Sequence, residues 1–327
     1  MMPTAHRRLL LILLVLLSVL GIAIAAGVGS VPLSWAQWLA ALQDSGSEHG
    51  ELVWRLRLPR ATAAWTVGAL LALSGCLMQV LLRNPLADPY ILGVSGGASF
   101  AALLGMTIGL DASLLPALAW GGALLSILIV FTLARGEGPW SGTRLLLTGV
   151  VTASGWAALI SLLLSLGPDS SLRGMLFWLL GDLSYARLPP WAPILLTVVF
   201  LACYGMARSL NVLAMGETTA RLLGEPTQKL LWVVYLLASI LTAAAVSIAG
   251  NIGFVGLIVP HLMRLVVGSD HRILLPAAAL FGGLFLVASD TLARTVLAPR
   301  QLPVGVVTAL LGVPLFLLLL NRAKVRQ

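Results

Sequence analysis

The chain has 327 residues, of which 59% are hydrophobic and 10% charged, with a formal net charge of +8. A soluble domain carries about 25% charged residues. At a mean hydropathy of +1.00, this chain lacks the charge to cover a water-facing surface, which leaves an integral membrane protein. Unbroken apolar runs of about 20 residues exclude the period-two alternation of a barrel and predict an all-α polytopic membrane protein.

Taken in order, helices are predicted over 9–29, 61–82, 90–110, 112–134, 145–167, 188–207, 230–249, 254–268, 273–291 and 303–321, about ten transmembrane spans. The first follows Arg7-Arg8 and is longer than a cleavable signal core, so it is expected to remain as a span. The stretch 230–263 is too long for one span, and its break is placed at Gly250-Asn251-Ile252-Gly253. Two outer segments interrupt the pattern. Segment 30–60 carries Trp35 and Trp38 as interface anchors, and segment 168–190 has an apolar middle that suits a short surface helix. On the inner side, 208–229 is polar with helix-compatible spacing. Short tails at 1–8 and 322–327 complete a single transmembrane domain over 1–327. Spans 2–5 and 7–10 fit an inverted repeat, an arrangement that places a transport path at the repeat interface.

Orientation follows from the basic residues. With both termini in the cytoplasm, 13 of the 20 Lys and Arg fall on the inner side, and all of the excess positive charge lies there. That distribution accounts for the net charge without a nucleic acid. Cys76 and Cys203 both sit in apolar runs, with no disulfide framework or metal-ligand spacing.

The motifs that are missing narrow the function. Lys229 and Lys324 are the only lysines and neither follows a glycine, so the phosphate-cradling G-x-x-x-x-G-K-[ST] loop is absent and the chain is not expected to be an enzyme. No predicted span carries a charge near its centre, where ion-coupled carriers place Asp, Glu, His or Arg. An ion-coupled secondary carrier stays as the alternative, with Asp290 and His261 as its nearest titratable groups. Uphill transport otherwise needs an energy-supplying partner. The inner stretch Met215–Gly224 pairs an apolar face with charges, which suits docking of such a partner or contact with lipid. Outside, Arg57, Arg60 and Arg294 could pair with acidic residues of an arriving protein.

Several motifs then occur in a recognisable order. They are R-L-P-R at 57–60, S-G at 74–75, N-P-L-A-D-P at 84–89, G-V-S-G-G-A at 93–98, R-L-L-L-T-G at 144–149 and the 215–224 stretch. After them come G-F-V-G-L-I-V-P-H at 253–261, D-H-R at 270–272, Asp290 with Arg294, and L-P-V-G-V-V-T-A at 302–309. Together these resemble the FecCD family of ABC-importer permeases, which serve vitamin B12, haem and ferric siderophores. The resemblance implies a type II importer permease, acting in the inner (plasma) membrane as a homodimer, or in some cases a heterodimer. Two cytoplasmic ATPase subunits would bind ATP and Mg beneath it, this chain holding no cofactor or metal. A periplasmic or lipid-anchored binding protein would deliver the chelate.

By the same resemblance, Met215, Gly216, Glu217, Ala220, Arg221, Leu222, Leu223 and Gly224 match the ATPase-coupling helix. Asn84 and Leu86 match the cytoplasmic gate, with Gly142 and Thr143 as its second layer. Arg57, Arg60 and Arg294 match the arginines that meet the binding protein. Gly142 departs from the hydroxyl residue the family often has there. Asp88-Pro89-Tyr90 leans toward a siderophore or haem cargo rather than a corrinoid.

Overall fold

The computed structural model of the chain describes residues 4–135, 141–184 and 186–324; the extreme ends of both predicted tails and Glu137 lie outside them. All regular structure among the described residues is helical. In chain order the α-helices are α1 (Thr4–Gly27), α2 (Trp35–Gln43), α3 (Glu48–Glu51), α4 (Leu58–Leu81) and α5 (Val94–Thr107). They continue with α6 (Leu115–Arg135), α7 (Gly142–Leu166), α8 (Asp169–Leu179), α9 (Trp191–Gly205) and α10 (Ala207–Ala214). The last five are α11 (Glu217–Leu222), α12 (Thr227–Ala249), α13 (Val255–Val267), α14 (His271–Thr295) and α15 (Val304–Lys324).

Each of the ten predicted spans contains a helix, but they differ in length. Among the described residues six helices are long and apolar enough to cross a membrane, seven if α9 and α10, bent by 62°, count as one span; α5, α13 and the stretch Val304–Leu318 of α15 are shorter apolar helices. The second span is longer than predicted. The segment expected to lie outside up to residue 60 is helical from Glu48, and the helix runs unbroken to Leu81. A π-turn at Leu52–Arg57 makes this continuity workable. It shifts the hydrogen-bond register so that the Leu58 amide reaches Val53, and Pro59, with no amide proton to place, falls at the first turn of α4. The Arg57–Arg60 motif therefore rides on a rigid helix rather than on a loop.

α4 is the axis of the fold, packed against α14, α12, α13 and α1. In hydrocarbon, apolar side chains gain nothing from desertion by water, so helices associate through close backbone approach at small residues. α4 supplies these as Gly68, Ala69, Ala72 and Gly75. A methyl group at Gly75 would overlap the Gly256 carbonyl of α13.

The predicted break between α12 and α13 is real. Gly250 takes φ +67° and Phe254 φ +70°, both in the left-handed region. Gly250 also lies against the Trp178 carbonyl, where a side chain would collide. The broken segment is pinned by Tyr90, whose hydroxyl donates to the Ile252 carbonyl and accepts from the Ile252 amide, each at 3.1 Å. Thr308 donates to the Gly253 carbonyl at 3.1 Å. Side chains thus satisfy the backbone groups that the helix break would leave bare.

Candidate functional site

The cytoplasmic end is built from three turns. After α4, Arg83 enters the left-handed region at φ +50°, and the Asn84 carboxamide accepts from the Leu86 amide at 2.9 Å. Asp88 then caps the short 3-10 turn at Pro89–Leu92 by accepting from the Tyr90 amide at 2.7 Å. At the start of α7, the Ser141 hydroxyl caps the helix by accepting from the Arg144 amide at 3.3 Å. Between α10 and α11, Gly216 at φ +114° turns the chain, and Gly224 at φ +83° ends α11.

These turns enclose a cavity of about 430 Å³ lined by Asn84, Gly142, Thr143, Ser141, Arg83 and Glu217, with apolar walls from α4 and α12. The structure therefore brings three of the four predicted gate residues together with one residue of the predicted coupling segment. Leu86 stands outside this lining and is exposed. Sequence reasoning missed Ser141 and Arg83. The Ser-x-x-Arg spacing ahead of an apolar run was the available signal for the former, as a helix cap.

The coupling segment divides its residues cleanly. Ala220 is buried against the body, whereas Met215, Leu222 and Leu223 are exposed at 68%, 84% and 62%. Glu217 and Arg221 form an ion pair with each other across one helical turn, and Arg221 also donates to Thr227 at 3.2 Å. The two expected polar contacts of this segment are thus paired with each other in the isolated chain. α10 is tied to the body by Asn211, which donates to the Asp270 carboxylate at 2.8 Å and accepts from the His271 amide at 2.9 Å. Asp270 is the N-cap of α14.

That helix carries a second cluster at its outer end. Asp290 accepts from Arg60 at 2.7 Å and lies 3.1 Å from the Arg294 Nε. Arg60 also donates to Gln301 at 2.8 Å, Ser184 donates to the same Gln301 oxygen at 3.2 Å, and Arg294 donates to the Ala25 carbonyl at 3.0 Å. Arg57 donates to the carbonyls of Gly27 and Val31. All three arginines are buried. By resemblance they match arginines that meet an acidic partner; in the isolated chain each side chain is held by groups of the chain itself. The reason is the extended helix 48–81, which turns the motif inward against α14 and the end of α1. Asp290 thus holds two of the three guanidinium groups, and all three line a cavity of about 240 Å³ together with Arg55 and Arg187.

Residues 10–322 match the model of the FecCD transport family. The chain belongs to the FecCD transport family. It is 40% identical to the hemin transport system permease protein HmuU of Yersinia pestis, over 97% of this chain and 96% of that one. It is 42% identical to the cobalamin import system permease protein BtuC of Halobacterium salinarum, over 88% of this chain and 79% of that one. Among solved structures, an inward-facing conformation of a metal-chelate type ABC transporter superposes with a TM-score of 0.83 at 31% identity, covering 96% of this chain and 99% of that one. The FecCD fold is the type II ABC-importer permease fold, so this is a multi-pass membrane permease and not itself an ATPase. Ser141, next to Gly142, lines the same cavity.

Proposed function

We propose that the chain is the pore-forming subunit of an ATP-driven importer that moves a metal chelate, either haem or a ferric siderophore, across the inner membrane by alternating access; a corrinoid is the third cargo of this class. The observation that carries the reading is the placement of α11. Its two exposed leucines face outward to a partner, while Glu217, in its first turn, lines the gate cavity. A partner that shifts α11 would act directly on the gate, and it would bias the two states only by binding them unequally. ATP and Mg would be held by two such ATPase subunits.

A second copy of the chain would pack on α7 and α15. Val151, Leu147 and Leu310 stand exposed there. Along α7, Ser154, Ser161 and Ser165 expose hydroxyls that already donate to carbonyls of their own helix, at 2.9–3.0 Å. Such a face is tolerated in lipid and equally suits a passage between two copies. The delivering binding protein would meet the outer mouth, where the surplus of arginine over carboxylate favours acidic groups. An ion-coupled carrier finds less support, because Asp290 lies at a helix end and is neutralised by two arginines.

The test is purification of the full chain from its native membranes in mild detergent, followed by mass spectrometry of the intact complex. Two copies with two ATPase subunits are expected. A single copy with no ATPase in several detergents would overturn the reading.

A further inference from the structure

Between the outer halves of α6 and α9 runs a groove of about 1150 Å³ that the transport reading does not use. Ala117, Trp120, Trp191, Ile194 and Val198 give it apolar walls, and Arg187 stands at its outer mouth. The indoles of Trp120 and Trp191 lie 5.4 Å apart, tilted by 58°, and form one aromatic wall. Ile194 and Val198, one turn apart on α9, are exposed at 64% and 59%, as expected of a face turned to hydrocarbon. Among the described residues, no acidic side chain lines the groove. The nearest in sequence, Asp111, accepts from the Ser113 amide at 2.8 Å. Arg187 is exposed and has no ion pair among the described residues, although it borders the arginine-rich cavity as well.

We propose that this groove holds an anionic phospholipid of the outer leaflet, its acyl chain along Ile194 and Val198 and its phosphate at Arg187. Hydrocarbon would fill an apolar groove in any bilayer. A cation at headgroup height beside two tryptophans is what turns transient filling into a retained lipid, because Trp rings sit at the membrane–water boundary and guanidinium groups pair with phosphate through two N–H donors.

The experiment is native mass spectrometry of the delipidated full chain, titrated with phosphatidylglycerol or with phosphatidylcholine. Wild type is expected to retain one phosphatidylglycerol per chain, at about tenfold lower lipid concentration than Arg187→Gln. Ala117→Trp, which fills the groove but leaves Arg187 in place, should lose that lipid. Equal retention by wild type and both variants would overturn the proposal, as would equal affinity for the two lipids. So would disulfide formation between copies carrying Ala117→Cys, because the groove would then be covered by a second chain. Should Ala117→Trp fail to fold, Arg187→Gln, altered at an exposed side chain, still decides.

Discussion

Asp290 and Arg60, 230 positions apart in the sequence, meet at 2.7 Å as a buried ion pair that locks the start of α4 to the end of α14. Arg294, one turn beyond Asp290, completes the cluster from the other side. One carboxylate thus balances two buried guanidinium groups, and its removal leaves both without a counter-charge. Asp290→Asn is expected to lower stability by about 3–5 kcal/mol, read as a fall in melting temperature in detergent. Arg300→Gln, an exposed change nearby, serves as the control and should leave the melt unmoved. Equal melts for the two variants would mean that the cluster does not hold the helices together.

Leu222 and Leu223 are exposed and contribute little to the fold of the isolated chain. Replacing both by Asp should change its stability by no more than about 0.5 kcal/mol. The same variant is expected to lose any co-purifying ATPase subunit. Retention of the ATPase at wild-type stoichiometry would place the docking surface elsewhere.

Glu217 pairs with Arg221 on the surface of α11, an interaction worth under about 1 kcal/mol. Glu217→Lys should therefore fold normally while placing a cation in the gate cavity beside Arg83. Uptake is expected to fall to background, with the ATPase subunit still hydrolysing ATP on its own. Unchanged uptake in cells expressing the variant would remove Glu217 from the coupling path.

Asp270 supplies a pH dependence. Burial pushes its carboxyl up, but the Asn211 amide, the Arg272 backbone N–H and the neighbouring positive charges outweigh that and hold it below its ordinary value of 3.8. The ionised form therefore favours the folded state. Its contribution is complete above about pH 4 and is lost as pH falls through the lowered value. Asp270→Asn should flatten this acid-side loss of thermal stability, measured by tryptophan fluorescence melts from about pH 5 to pH 3. A variant whose acid limb matches wild type would show that Asp270 does not titrate between those states.

Gly75 tests the packing of the axis. Its approach to the Gly256 carbonyl leaves no room for a side chain. Gly75→Ala is expected to destabilise by about 1–3 kcal/mol through overpacking, and Gly75→Leu to prevent a folded, monodisperse preparation. A Gly75→Leu chain that purifies with a wild-type melt would mean that α4 and α13 stand further apart than described.

Composition and periodicity by themselves determined that this is a helical membrane protein and where its apolar segments lie, because the hydrocarbon core imposes one length and one polarity on any spanning helix. The break at 250–253 was legible for the same local reason: a run too long for one span must turn, and glycine marks the place. Local sequence also showed the polar segment after α9, since charge has to leave the membrane. Motif order identified the family.

Only the tertiary structure decided the fate of individual polar residues. Arg60 and Arg294 read as outward arginines until α4 was seen to begin ahead of its predicted start, which brings them against Asp290. Nothing in the local sequence showed that Glu217 pairs with Arg221 in the isolated chain. Ser141 and Arg83 joined Asn84, Gly142 and Thr143 only when the start of α7 was placed at the cavity beside the turn after α4. Pairings of this kind depend on how helices are rotated against one another. That rotation is set by the packing of small residues such as Gly75 against backbone far away in the chain, and hydrophobic periodicity does not encode it.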